Sequence, residues 1–317
     1  MAKTHSKPAA PAGNLSPEAG RDDALPGVEA KLFVAALALR LAHLAIFRSD
    51  FWLRTPLLDD NIFVAWSDVI ARGGWLAREL GSFDFNPAYP YLLAALTKTV
   101  GRAPELVFGL QHLFGALVPV LLYRLTARLF DARAALVAGA IAALYGPAFF
   151  FESRYLGELP IYFLNCAFLL ALAGTKDSRA PGLRWVAAGL CLGLSALFRP
   201  TALALAAPAA LWCLYSEARW AVAPRFAAFL LALWLPMLPF QIRNRIVDPA
   251  AGWGLTTASG GVNLFMGNNP EANGFNQPPS FASGGPGEQY KDFKAEAEKR
   301  TGRVLSSAEV SRYWTGR

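Results

Sequence analysis

Residues 134–151 read AALVAGAIAALYGPAFFF, a run without Asp, Glu, Lys or Arg. A soluble amphipathic helix shows a polar face every 3.6 residues, and this run shows none. Stretches 159–173, 200–215 and 226–240 are equally free of charge. A charge at the centre of a spanning helix costs about 2.5–3.5 kcal/mol on insertion scales, so these runs point into a bilayer. Three more apolar runs, at 32–47, 104–122 and 183–198, carry only isolated charges. Most runs fall short of the roughly 20 residues that cross a bilayer core. Their repetition and composition still argue against a large soluble helical protein. The expected fold class is an all-α membrane protein, a polytopic transmembrane helix bundle.

The totals agree. Of 317 residues, 54% are hydrophobic and 17% charged, and the mean hydropathy is +0.31. Soluble domains carry roughly 45–50% apolar and about 25% charged residues. The net charge of +7 is scattered between apolar runs rather than gathered into a basic stripe, which argues against nucleic acid. Cys166, Cys191 and Cys213 lie inside apolar runs, an odd number with no metal or disulfide spacing.

Loop charge sets orientation. Arg124, Arg128 and Arg133, then Lys176, Arg179 and Arg184, then Arg219 and Arg225 mark cytoplasmic connections by the positive-inside rule. The outer side then receives a loop at about 48–103, tight connections at 152–158 and 199–200, and everything after about 241. The first loop contains an amphipathic stretch, Ile62 to Leu80 with Trp66 and Trp75, suited to the interface. Residues 88–100 are too short to cross and are expected to dip in or pack beside the next helix. The expected organisation is a disordered cytoplasmic tail at 1–30, a transmembrane domain at 31–240, and an outer segment at 241–317. That last segment reads as loop over 252–287 and then as charged helix, with a capping-box spacing at Ser306 and Glu309. It stops at Arg317 without a cap or breaker, which reads as a truncation.

The outer segments hold most of the unusual polar residues. Asp59 and Asp60 stand at a helix start, where either could be the N-cap or a general base with a tuned pKa. Arg199 precedes Pro200, and Arg243, Asn244 and Arg245 sit at the outer end of another run. Arginines there either snorkel to lipid headgroups or hold a phosphate in a bidentate fork. Glu152 and Glu158 bracket a turn, where they either pair with Arg154 or complete an acidic cleft with Asp59. His43 and His112 lie in apolar runs without a nearby partner and read as packing residues; His5 is in the tail. No glycine-rich phosphate loop, HExxH or CxxC is present. Carboxylates and arginines at one face suit transfer of a group from a lipid-phosphate carrier. A transporter or flippase of lipid-linked glycans is the alternative, although such proteins place ionisable groups near the bilayer midplane.

Several segments, in order, resemble the C-type (GT-C) membrane glycosyltransferases, specifically the bacterial relatives of the dolichyl-phosphate-mannose protein mannosyltransferase and aminoarabinose transferase group. Leu58-Asp59-Asp60-Asn61-Ile62-Phe63 looks like the acidic motif of that family's first outer loop, with Asp60 in place of the usual Glu and Phe63 where Tyr is common. Asn86-Pro87-Ala88-Tyr89-Pro90-Tyr91, Leu197-Phe198-Arg199-Pro200, Ile242-Arg243-Asn244 and Gly267-Asn268-Asn269-Pro270 follow in the expected order. The resemblance implies an inverting enzyme of a bacterial inner membrane with its site facing the periplasm. It would use a polyprenyl-phosphate-linked sugar and a lipid, glycan or protein acceptor. Asp59 and Asp60 would be catalytic, Asp59 as the base. Arg199, Arg243, Asn244, Glu158, Tyr89, Asn268 and Asn269 would bind substrate or lipid phosphate. A divalent cation stays open, with Asp59, Asp60 and Glu158 as the residues on offer.

Overall fold

The computed structural model describes residues 27–317 apart from Asp177, Leu255 and Asn276. Residues 1–26, most of the expected tail, lie outside the described residues, and the first helix starts at Val28. The described residues form helices and connecting turns with no strand. All seven apolar runs are helical. Among the described residues three helices are long and apolar enough to cross a membrane: α1 (Val28–Phe47), the run Pro104–Leu129 formed by α5 (Pro104–Gly115) and α6 (Leu117–Leu129), and α10 (Pro181–Phe198). Between α1 and α5 lie α2 (Phe51–Arg54), α3 (Asp59–Gly73) and α4 (Ala88–Thr99).

Two further helix pairs pass the same test together but are bent. α7 (Ala132–Leu144) meets α8 (Gly146–Glu152) at 48°, and α12 (Arg219–Trp234) meets α13 (Leu238–Val247) at 45°. Sharp kinks occur where proline removes a backbone donor, and Pro147 and Pro239 open the second member of each pair. α9 (Glu158–Ala173) and the stretch Pro200–Ser216, which ends in α11 (Ala206–Ser216), are shorter apolar helices.

The core forms where α10 meets α9 and α12, around Phe168, Trp185, Leu192 and Phe229. Gly189 and Gly193, four apart and so on one helix face, let α10 lie against α12. A Cβ at either position would run into the Phe229 or Leu233 carbonyl. The loop cations gather at one end of the bundle. Arg124 pairs with Glu29, the Arg128 guanidinium lies beside Gly174, and Lys176 sits over the Tyr215 ring at 3.9 Å. α9 runs from that end to Glu158 at the other.

The segment between α1 and α5, expected as an outer loop, is folded rather than loose. α4 buries Ala88, Tyr89, Leu93 and Ala94, and it packs on α3 and α5. Neither acidic residue is the N-cap of α3. That position is Leu58, and Asp59 and Asp60 occupy the first turn, where the helix dipole favours negative charge. The reading of 252–287 as loop is corrected by α14 (Gly260–Asn268), which packs on α16 (Ser307–Thr315). Gly261 permits that approach, since a Cβ there would overlap the Ser311 carbonyl. α15 (Pro286–Thr301) completes a small lobe around Phe265, Phe281, Phe293 and Trp314, with Phe281 and Trp314 stacked at 10°. The Ser306–Glu309 capping box is present as expected.

Candidate active site

At the end of the bundle opposite the loop cations lies a cavity of about 870 Å³. Its floor is Asp59 and Asp60 from α3 with Arg154 from the connection between α8 and α9 and Glu158 from the start of α9. Asp84, Phe85 and Asn86 form one side. The small lobe roofs it with Val262, Asn263, Met266, Gln289 and Tyr290. The opposite side is apolar: Trp52, Phe150 and Phe151 line the cavity and are also exposed on the outer surface, a wall suited to an acyl or prenyl chain.

The local backbone aims the carboxylates. Leu58 has φ 52°, a region that side chains other than glycine rarely adopt, and the following turn carries Asp59 and Asp60 toward the cavity. Asp60 is 1% exposed and forms an ion pair with Arg154, while its Oδ1 has no hydrogen-bond partner among the described residues. Burial pushes the Asp60 carboxyl up to about 6 against the pull of Arg154. Asp59 is half-buried and no side-chain hydrogen bond holds it among the described residues. Burial raises its pKa and the Arg199 charge lowers it. Glu158 Oε1 accepts from Arg199 at 3.1 Å, and its Oε2 is buried without a partner among the described residues. Asp84 accepts from Ser307 Oγ at 3.3 Å, and burial pushes it up to about 6.

Asp59, Asp60, Glu158 and Arg199 therefore come together. The other expected binding residues sit elsewhere. Arg243 is 0% exposed and lies over the Phe83 ring at 3.8 Å. Its guanidinium donates to the carbonyls of Leu76 at 2.9 Å, Ala77 at 2.8 Å and Gly81, and to Asn244 Oδ1 at 3.0 Å. That fork staples the 76–81 connection to α13 and leaves no face for a phosphate. Asn244 donates to the Thr256 carbonyl at 3.0 Å. Tyr89 is buried and donates to Gln111 Oε1 at 2.8 Å. Asn268 turns back to the Leu264 carbonyl at 2.8 Å, and Asn269 closes the end of α14 through the carbonyls of Phe265 and Met266. Among the described residues no group of three or more His, Cys, Asp or Glu is arranged to hold a metal, so Asp59, Asp60 and Glu158 do not form a cation site by themselves.

Two expectations about the 152–158 connection are corrected. Arg154 pairs with Asp60, not with Glu152 or Glu158. Glu152 is buried inside the bundle, where it pairs with Arg40 at 2.7 Å and with His112 at 2.8 Å, so His112 has a charged partner after all. Arg40, a lone arginine well inside an otherwise apolar span, was the signal in the sequence that a buried acid had to exist.

A family model described as dolichyl-phosphate-mannose-protein mannosyltransferase matches residues 84–242, half of the chain. The match includes Arg154, Glu158 and Arg199, and begins after Asp59 and Asp60. No curated protein and no solved structure matches the chain.

Proposed function

Because the chain belongs to the dolichyl-phosphate-mannose-protein mannosyltransferase family and is therefore a membrane glycosyltransferase, we propose that it moves a sugar from a polyprenyl-phosphate carrier to an acceptor hydroxyl at the outer face of the membrane. One observation carries this reading: Asp59 and Glu158 line a cavity with an exposed apolar wall, and Arg199, paired with Glu158, brings its charge to bear on Asp59. The wall takes the prenyl chain, and the polar floor takes phosphate and sugar. The loop cations at the far end of the bundle support an outward-facing cavity.

In this mechanism Asp59 accepts the proton of the acceptor hydroxyl as its oxygen bonds to the anomeric carbon. The bond from that carbon to the phosphate oxygen breaks, its electron pair leaves with the polyprenyl phosphate, and attack from the opposite face inverts the centre. Arg199 compensates the charge developing on the departing phosphate, since half of its side chain is exposed and Glu158 engages only one of its nitrogens. Asp60 is held by Arg154, which leaves Asp59 as the carboxylate free to act.

The test uses the full chain in membranes with radiolabelled polyprenyl-phosphate mannose. Asp59→Asn should lower transfer by about 100-fold or more, the usual contribution of a positioned base. Undiminished transfer in that variant would remove Asp59 from the mechanism.

A further inference from the structure

Glu152, Ser153 and Arg154 are consecutive and exposed by 0%, 1% and 5%, although they connect two helices and the last of them reaches the cavity. Connections normally run over the surface because their backbone groups need partners. Here two of the carbonyls find their partners in side chains from two other elements. Gln111 of α5 donates through Nε2 to the carbonyl of Glu152 at 2.7 Å and to that of Arg154 at 3.0 Å. Tyr89 of α4 fixes the Gln111 amide and reaches the Arg154 carbonyl at 3.4 Å.

The Glu152 carboxylate is held in the same way. Arg40 of α1 grips it with two nitrogens, at 2.7 and 3.0 Å, and Tyr162 of α9 donates to Oε1. His112 Nδ1 lies 2.8 Å from Oε2. A carboxylate only accepts, so that ring nitrogen donates, and Nε2 lies 3.1 Å from Ser153 Oγ. Arg40 also lies over the Phe149 ring at 4.6 Å. None of Glu152, Arg40, His112 or Gln111 lines the cavity. The end of this held segment is Arg154, whose guanidinium meets Asp60 and the Trp52 carbonyl.

We infer that Glu152 and Gln111 are positioning residues: with Arg40 and His112 they fix the backbone of 152–154 so that Arg154 stays on Asp60, which leaves Asp59 the only unclaimed carboxylate of that pair. The catalytic meaning of this arrangement rests on the reading of the cavity given above. The arrangement itself does not, and it can be tested without a substrate. Arg154 covers one oxygen of Asp60, so a carboxyl reagent that partitions into lipid reaches Asp60 slowly while the clamp holds.

The experiment treats membranes containing the full chain with dicyclohexylcarbodiimide and measures adducts at Asp60 and Asp84 by peptide mass spectrometry. Asp84 lines the same cavity and has no contact with the clamp, so it reports general loosening. Two variants are compared. Gln111→Met removes the backbone clamp without leaving a charge. Arg40→Met combined with Glu152→Gln removes the buried pair together, because deleting one partner alone strands a charge. Each should raise the Asp60 to Asp84 adduct ratio several-fold, to the level set by Arg154→Met. Adding Arg154→Met to Gln111→Met should raise it no further, the signature of two residues acting through one path. An unchanged ratio in Gln111→Met, or adducts rising equally at both residues, would overturn the inference. Undiminished sugar transfer in Asp59→Asn would instead overturn the catalytic reading and leave the labelling result standing.

Discussion

Gly115 lies directly against the carboxylate of Glu152, so that a Cβ on residue 115 would overlap Cδ and both oxygens. α5 can therefore deliver Gln111 and His112 to the 152–154 segment only because its next turn has no side chain. Gly115→Ala is expected to destabilise the protein by about 1–3 kcal/mol, the usual cost of overfilling a packed interior. Thermal unfolding in detergent checks this, and a midpoint equal to wild type would show that the bundle can yield there.

The approach of α10 to α12 gives a second expectation. At Gly193 a side chain meets the Leu233 carbonyl, which is backbone and cannot rotate away. Gly193→Val should reduce the folded protein recovered from membranes severely, whereas Gly182→Val, where open space surrounds the position, should leave it near wild type. Equal recovery of the two variants would contradict the close packing.

Arg199 and Arg243 should separate by assay. Arg199→Met is expected to raise KM for the polyprenyl-phosphate donor by about 10-fold or more, the effect of losing a charge-assisted contact. Its stability should change little, because a half-exposed pair with Glu158 contributes at most about 1 kcal/mol. Arg243→Lys keeps the charge but loses the planar fork that reaches Leu76, Ala77, Gly81 and Asn244. That variant should lose about 2–4 kcal/mol of stability with donor KM unchanged in the folded fraction. A raised KM for Arg243→Lys without destabilisation would return it to the phosphate.

Stability should also depend on pH through Asp84. Its carboxyl is raised by burial to about 6, so between about 4 and 6 the folded chain holds a proton that the unfolded chain releases. The stabilisation is complete below about 4 and is lost as pH rises through 6. Asp60, also raised to about 6, adds to the same slope. Asp84→Asn, which keeps a partner for Ser307, should make the protein more stable at pH 7 by roughly 1 kcal/mol and flatten part of the decline. Melting curves from pH 4 to 7.5 test it; a variant with the full wild-type slope would assign the decline to other groups.

What the sequence made legible was local. Seven apolar runs became helices because a helix satisfies every backbone hydrogen bond within one segment, as a bilayer requires. The Ser306–Glu309 cap was readable because both partners lie within one turn. Asp59, Glu158 and Arg199 met because each stands at the same end of a spanning or interfacial helix. The failures share one cause, which is that partner choice is a tertiary property. Arg243 and Arg199 look alike in sequence, yet one finds three carbonyls of a neighbouring loop and the other a half-exposed carboxylate. The sequence shows no partner for His112 because Glu152 lies forty residues on, across a bend. The helix at Gly260–Asn268 was hidden because Gly, Asn and Pro dominate its surroundings, and what holds it is the aromatic face of α16.

The roof of the cavity, supplied by Val262, Met266, Gln289 and Tyr290, comes from a later part of the chain than every other wall. Synthesis proceeds from the N-terminus at roughly 5–20 residues per second, and the bundle enters the membrane in that order. While the ribosome is still adding α14 to α16, the floor at Asp59, Asp60 and Arg154 has no cover from this lobe. Until those helices have emerged and folded down, this end of the bundle is an open trough, and the small lobe is what turns it into a cavity.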